Sequence, residues 1–241
     1  MNSMSPSFSS YAALARSRRS VRAFLPDPVP QPLLENLLET ARQAPSGANL
    51  QPGRFWSLQG EARTRVSAAL CEAVRTQQPE REEYGYFPQP MPMQLRKRQV
   101  ASAQALYRSL GIARGDAPAR QQQFERNYRF FDAPVALLVT IDRDFGSGGF
   151  MDLGLCLHGL LMAAHAEGLG ACAIGALASY PDIVRHQLGL PDSEVVVCGL
   201  AIGWPDPQAP VNGTQTEREP LAQYFQVLGG RDHTEINTGR Q

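Results

Sequence analysis

Two near-continuous apolar runs set the strongest limit on how this chain folds. They span residues 134–141 and 195–202, and both are rich in β-branched side chains. Such runs are typical of central strands that are covered on both faces. Residues 149–167, between the two runs, are apolar nearly all round and predict a buried helix. The chain therefore requires a sheet with helices packed against it.

Shorter periodic segments predict the remaining elements. Helical periodicity is found at residues 11–18, 31–43, 61–76, 94–110 and 180–187, and short strands are predicted at 55–58 and 170–174. Because strands and helices do not alternate regularly, the pattern favours the α+β class, with a small sheet enclosed by helices. No linker divides the chain, which predicts one domain over residues 11–230, a disordered tail at 1–10 and a C-terminal tail at 231–241.

Charge, hydropathy and cysteine content exclude several classes of protein. Lys plus Arg and Asp plus Glu each number 23, so no net charge attracts nucleic acid or an anionic membrane. The apolar stretch at 150–166 contains Asp152, His158 and His165 and is shorter than the ~20 clean residues of a membrane span. Four dispersed cysteines and these histidines have no metal-binding spacing, so we predict reduced thiols and no metal site. Together with an N-terminus unlike a signal peptide, this predicts a cytoplasmic protein.

A cluster of arginines follows the first predicted helix. Arg18, Arg19 and Arg22 surround Ser20. Guanidinium groups offer paired donors to phosphate oxygens, and a serine hydroxyl adds another, so the cluster is suited to bind a nucleotide monophosphate. A solvated basic run is the alternative interpretation, and composition alone does not separate the two.

A turn follows the leucine-rich helix at 31–43. Its sequence is APSGANLQP, over residues 44–52. Pro45 ends the helix, while Gly47 and Asn49 permit tight turns that direct donors at the edge of a ligand. An ordinary helix-ending turn explains the same residue types.

The order of these motifs resembles the FMN-dependent nitroreductase family. RRSVRAF is followed by the leucine-rich helix, by APSGANLQP, by GLGACAIG at 168–175, by the apolar strand at 195–202 and by TEREPL at 216–221. The resemblance covers about residues 11–225, and within the family it is nearest to the nitrobenzoate-reducing subgroup. It implies a layered α/β/α fold with a mainly antiparallel sheet, and a homodimer with FMN at the subunit interface.

The resemblance also assigns ligands to the cofactor. Arg18 and Ser20 would contact the FMN phosphate and ribityl chain, and Arg218 would be a further phosphate ligand. Arg22 would lie near flavin N1 and O2, where a cation favours the reduced flavin. Some relatives carry a Lys at the position of Thr216, and Arg19 would compensate for that missing charge.

Two further segments complete the implied cofactor site. The partner subunit would contribute four residues of the turn, Pro45, Ser46, Gly47 and Asn49. The backbone of Ala173, Ile174 and Gly175 would lie against the isoalloxazine ring and donate to N5. No catalytic side chain is implied, because flavin N5 carries the chemistry. Gly53 stands where many relatives have Trp, which predicts a wider pocket.

The resemblance implies an enzyme that takes electrons from NADH or NADPH and reduces a small nitroaromatic compound to its hydroxylamino product, by a ping-pong mechanism. Residues 84–116 would be an insertion that covers the active site. Five aromatic side chains are candidates to face a planar acceptor, or equally to pack the insertion onto the core: Tyr84, Tyr86, Phe87, Tyr128 and Phe131.

Several alternatives remain at this stage. Arg96, Lys97 and Arg98 either attract a carboxylate or form a solvated helix face, and Arg126 and Arg129 are candidates to reach the flavin. The same fold also supports quinone or enone reduction. A non-enzymatic flavin-binding redox sensor is a third possibility, and a basic docking patch without flavin is a fourth.

Overall fold

A four-stranded antiparallel sheet lies at the centre of the protein, whose computed structural model describes residues 8–228. The strands are β1 (Arg54–Ser57), β2 (Val135–Asp142), β3 (Gly170–Ile174) and β4 (Glu194–Gly203), in the order β1-β2-β4-β3. The helices are α1 (Phe8–Ser17), α2 (Gln31–Ala41), α3 (Gly60–Arg75), α4 (Met93–Ser109), α5 (Ala117–Glu125), α6 (Ser147–Ala166) and α7 (Pro181–Leu188). Short 3-10 helices occur at Gly47–Asn49, Arg126–Asp132, Gly175–Ser179, Pro210–Gly213 and Leu221–Gln223.

The two apolar runs form the central strands β2 and β4, which confirms their prediction to within about one residue. Every residue of β4 is buried. Successive side chains of β2 alternate between two cores, so that Leu138 packs on one face of the sheet while Leu137 and Val139 pack on the other. The sheet is therefore covered on both faces, which is the layered α+β fold that the sequence predicts.

Different helices cover the two faces. One core contains side chains of α3, α7 and the 3-10 helix Arg126–Asp132, and the other contains side chains of α2 and α6. Helix α1 begins at Phe8, earlier than predicted, so the predicted tail at 1–10 overlaps it. Residues 1–7 and 229–241 lie outside the described part of the chain. They include most of the predicted N-terminal tail and all of the predicted C-terminal tail.

The aromatic residues of the 3-10 helix Arg126–Asp132 are core residues. Tyr128 and Phe131 are 0% and 1% exposed, so the suggestion that they face an aromatic acceptor is wrong. Arg126 and Arg129 both lie within 4 Å of Asp132. They line none of the cavities described below, so the suggestion that they reach a flavin is not supported.

Helix α6 differs from its prediction. The sequence predicts burial all round, yet Met151 is 66% exposed and Leu155 is 45% exposed. The reason is that α2 and the sheet cover only one side of α6, so its other apolar face is exposed in a single chain. By length and hydropathy α6 is also the one described helix that meets the criteria for a membrane span, a test that core helices of soluble proteins pass as well.

A side chain at Gly53 would clash with α6 as the two segments are packed in this chain. Its φ is +97°, and a Cβ there would lie 2.5 Å from Cδ1 of Leu153, a buried residue of α6. Gly53 lines a cavity of about 510 Å³. The glycine found here in place of the Trp of many relatives therefore allows the chain before β1 to pack closely against α6.

We expect the Gly53→Ala substitution to lower the free energy of unfolding by about 2–5 kcal/mol, because positive-φ strain and overpacking each cost about 1–3 kcal/mol. Denaturant unfolding measures the change. The control is Gly115→Ala, since a Cβ at Gly115 meets nothing within 4 Å. Equal stability of the two variants would contradict this account of Gly53.

Candidate functional site

The arginines after α1 line one cavity of about 420 Å³ together with Arg218. Among the described residues that line it, five are arginines and none carries a carboxylate: Arg16, Arg18, Arg19, Arg22 and Arg218. Ser17, Ser20, Thr214 and Thr216 add hydroxyl groups. Guanidinium groups gathered without a counter-charge repel one another, so this cavity is suited to bind an anion with several oxygen acceptors.

The pKa of the neighbouring His165 reflects the positive charge of this region. Its ring Nε2 lies 2.8 Å from Oγ of Ser17. Burial lowers the pKa of His165, and the charges of Arg18 and Arg19 lower it further. The neutral form of the ring is therefore favoured, as expected beside a cluster of cations.

Backbone pairing with the sheet fixes the arginine segment. Ser20 forms a parallel bridge with Ala171 of β3, and Val21 N donates to Ala171 O at 3.1 Å. Arg218 is held from the C-terminal side, because its Nη1 donates to Oγ1 of Thr216 at 2.8 Å. Thr216, which replaces a Lys of some relatives, thus orients a guanidinium rather than supplying a charge.

Asn212 joins these two sides of the site, a role that the sequence did not indicate. Its Oδ1 accepts from the backbone N–H of Arg22 at 2.9 Å and of Ala23 at 3.2 Å. Its Nδ2 donates to the carbonyls of Ala23 at 2.8 Å and Asp206 at 3.0 Å. Because Arg22 and Ala23 lie about 190 residues away in the chain, no local pattern indicates that Asn212 holds their backbone.

We expect Asn212→Ala to lower the free energy of unfolding by about 2–4 kcal/mol, because it leaves partly buried backbone groups unsatisfied. We also expect weaker binding of an anion beside Arg22, whose backbone Asn212 holds. Asn212→Asp keeps the two acceptor contacts but places a carboxylate oxygen against the carbonyls of Ala23 and Asp206, so we expect a loss at least as large as that of the alanine variant. Thermal unfolding and ligand titration of both variants test this, and a fully stable alanine variant would contradict it.

A second cavity, of about 540 Å³, adjoins the arginine cavity and shares Arg22, Thr214 and Thr216 with it. Helix α4 forms one wall of it, although no residue of α4 is buried. Ser109 of α4 lies 2.8 Å from the hydroxyl of Thr214. Arg98 of α4 donates to Glu219 at 2.7 Å. The helix therefore packs against the C-terminal segment, and Arg22 lines the cavity beside it.

A third cavity, of about 420 Å³, shares Phe87 with the second and extends to the end of β3. Gly175 and the rings of Tyr84 and Tyr86 line it. Ala173 and Gly175 are exposed, whereas Ile174 is only 2% exposed and packs in the core. Of these three residues only Gly175 lines one of the three cavities.

The aromatic segment over Gly175 is anchored from beneath. Tyr84 donates its hydroxyl to the carbonyl of Val197 at 2.7 Å, and burial raises the pKa of that hydroxyl. The Glu83 carboxylate accepts from Arg185 at 2.7 Å and from Arg143 at 2.8 Å. Burial alone would raise the pKa of Glu83, but these two guanidinium groups bring it below its usual value. The three cavities adjoin as one groove, which is basic at one end and is lined at the other by aromatic rings and by Glu80, Glu82 and Glu83.

The turn after α2 lies elsewhere. Pro45 and Ser46 line the 510 Å³ cavity of Gly53, which shares no lining residue with the groove. Ala48 and Asn49 have φ of 49° and 58°, and Gly47 N donates to Asp152 of α6 at 2.9 Å. Asp152 and His165 are thirteen residues apart on α6, roughly 20 Å along its axis. Within a single chain, the turn therefore lies far from the arginine cluster.

The four cysteines lie in interior or partly covered positions of the protein. Cys71, Cys172 and Cys198 are buried, Cys156 is partly buried and all four thiols are free, which confirms the prediction of reduced cysteines. Burial raises the pKa of the Cys198 thiol to about 12, so it is an inert thiol. Within residues 8–228 no group of three or more His, Cys, Asp or Glu side chains is placed to hold a metal ion.

Comparisons with known proteins identify what this chain is similar to. The model of the Nitroreductase family matches residues 15–204. Chloronitrobenzene nitroreductase of Comamonas testosteroni is 38% identical over 213 residues, which cover 88% of this chain and 93% of that protein. The 4-nitrobenzoate reductase of Pseudomonas putida is 33% identical and covers 92% of this chain and 96% of its own length.

Solved structures agree with these sequence relatives. The FMN and NADPH-dependent nitroreductase NfnB from Sphigopyxis sp. strain HMH superposes with a TM-score of 0.86 at 36% identity, covering 91% of this chain and 99% of that one. The FMN-dependent nitroreductase NfnB from Mycobacterium smegmatis, solved in complex with NADPH, has a TM-score of 0.84 at 29% identity and covers 92% of this chain and 100% of its own.

Proposed function

The chain belongs to the nitroreductase family, and we propose that it is an FMN-dependent oxidoreductase that uses NAD(P)H to reduce nitroaromatic compounds. The observation that carries this proposal is the groove that runs from five arginines to the open backbone at Gly175. A flavin mononucleotide has a dianionic phosphate at one end and a planar ring at the other. The relatives named for nitroarene reduction favour this activity over quinone reduction or redox sensing.

The residues present fit the cofactor. Arg18, Arg19, Ser20 and Arg218 would hold its phosphate, because they line a cavity whose described residues include no carboxylate. Arg22, shared by the basic and middle cavities, would then lie at the N1 and O2 edge of the ring. Gly175 lines the aromatic end of the groove and would present its backbone to the ring, whereas Ala173 and Ile174 do not line the groove and their contact with the ring stays a prediction.

When bound, FMN supplies the redox chemistry by accepting hydride from NAD(P)H and passing electrons to the nitro group. The protein's part is to bind, orient and exclude water. The guanidinium of Arg22 would stabilise the negative charge that reduction places on the cofactor. Tyr84, Tyr86 and Phe87 offer apolar ring faces against which planar molecules stack. We propose no side chain as a nucleophile, since every described cysteine is at least partly buried.

A homodimer completes the site in this proposal. The turn residues Pro45, Ser46, Gly47 and Asn49 lie far from the arginines of their own chain, and the apolar face of α6 between them is exposed. The C-terminal segment exposes further apolar side chains: Leu221, Tyr224, Phe225, Val227 and Leu228. A second copy packed on α6 would cover this surface. Its turn would then reach the flavin of the first copy.

Helix α4 and the loop before it are proposed to cover the active site, as predicted for residues 84–116. The support is that α4 lines the same cavity as Arg22 and has no buried residue of its own. We treat residues 11–230 as one domain because both cores share the same sheet. A cytoplasmic location is in keeping with the free thiols.

The stoichiometry of turnover tests the proposed reaction. Reduction of a nitro group to a hydroxylamino group takes four electrons, and therefore two NAD(P)H and two further protons per nitroarene, with release of one water. We expect this ratio, with the hydroxylaminoarene identified by chromatography under argon. Rapid turnover of quinones with no measurable turnover of nitroarenes would instead support the quinone reductase alternative.

A further inference from the structure

The middle cavity of the groove is where an acceptor beside the flavin would extend. It is mostly apolar, with walls formed by Phe87, Pro88, Met91, Leu95, Ala103 and Leu106. Among its described lining residues the cations are Arg22 and Arg98, and none is acidic. In the proposed function Arg22 serves the flavin edge. Arg98 is then the cation that remains to meet an acceptor.

Arg98 already has an anionic partner. Its Nε donates to Oε1 of Glu219 at 2.7 Å, and both side chains are close to half exposed. Arg96 and Lys97 are exposed on the same helix but do not line the cavity, so they behave as the solvated helix face that was one of the sequence alternatives. Arg98 therefore meets an incoming acceptor as one half of an ion pair, and not as a free cation, although Glu219 itself does not line the cavity.

We propose that the Arg98–Glu219 pair makes the site prefer uncharged nitroarenes over nitroarenes that carry a carboxylate. This inference rests on the proposed function. Glu219 occupies only Nε of Arg98, so a substrate carboxylate in this cavity would meet an arginine whose charge is already offset and would lie near a second negative charge. An uncharged ring leaves the ion pair intact. Because exposed ion pairs are weak, the pair sets a preference and does not exclude carboxylated substrates.

The test compares two substrates of nearly the same shape, 4-nitrobenzamide and 4-nitrobenzoate. The measured quantity is the ratio of their kcat/KM values, because any effect of a substitution that is the same for both substrates cancels in this ratio. We expect Glu219→Gln to shift this ratio about tenfold towards the benzoate, since it frees a charged hydrogen-bond donor and removes a like charge. In the double variant Arg98→Gln, Glu219→Gln that shift should disappear.

Glu217→Gln is the matched control, because it removes the same charge two residues away and leaves the Arg98–Glu219 pair in place. An unchanged ratio in Glu219→Gln, or an equal shift in Glu217→Gln, would overturn the inference. Failure of the proposed function gives a different result, because the parent protein would then reduce neither substrate even though it and its variants fold. Anaerobic bleaching of bound flavin by NAD(P)H, measured on each variant, separates the two cases.

Discussion

The double variant Arg18→Ala, Arg218→Ala is expected to lose FMN during purification. Both guanidinium groups line the basic cavity, and the described residues around that cavity carry no carboxylate to pair with them. A hydrogen bond to a charged group contributes about 1.5–3 kcal/mol, so the two losses together weaken FMN binding by about two to four orders of magnitude. Fluorescence titration of the apoprotein with FMN measures the change.

The control for this variant is Arg96→Ala. Arg96 is an exposed arginine of α4 that does not line the groove, and its loss removes a charge without removing a ligand. We expect FMN affinity within about twofold of the parent, as is usual for a screened surface charge. FMN affinity that falls equally in the control and the double variant would mean that general charge, and not the cavity, attracts the phosphate.

The Leu155→Asp variant is expected to be monomeric and to bind FMN poorly. Leu155 lies on the exposed apolar face of α6, between the end that holds the turn and the end that meets the arginine segment. Burying an unpaired carboxylate at the centre of an interface costs several kcal/mol, so we expect the dimer dissociation constant to rise by at least about 100-fold. Analytical ultracentrifugation gives the oligomeric state, and absorbance gives the flavin content.

Ala68→Asp places the same charge on an exposed position of α3, which packs on the other face of the sheet. This control should remain dimeric and yellow. A parent protein that is monomeric with a full complement of FMN would contradict the proposal that a second chain supplies the turn.

The sequence predicted the sheet well because burial on both faces leaves a simple pattern. Continuous apolar runs gave β2 and β4, and the segment GACAI gave β3 at its observed bounds. The arginine cluster was also readable, since Arg18, Arg19 and Arg22 are close in the chain and line one cavity. The strands and the arginine cluster were therefore predictable because each depends on residues that lie close together in the chain.

Features that depend on distant partners were not predictable in the same way. Hydropathy shows that α6 is apolar on all sides, but it does not show whether the same chain or a second one covers each side. Aromatic residues of the 3-10 helix Arg126–Asp132 were candidates for the pocket because a sequence does not distinguish a buried ring from a pocket ring. Asn212 acts through backbone partners nearly 190 residues away and has no motif of its own.

The central claim is tested most directly by an anaerobic visible spectrum of the purified protein, taken before and after addition of NADPH or NADH and again after addition of 4-nitrobenzamide. We predict a flavin spectrum that bleaches with at least one of the two donors and recovers when the nitro compound is added. A protein that remains colourless after incubation with FMN, or that binds flavin which neither donor bleaches, would contradict the proposed function.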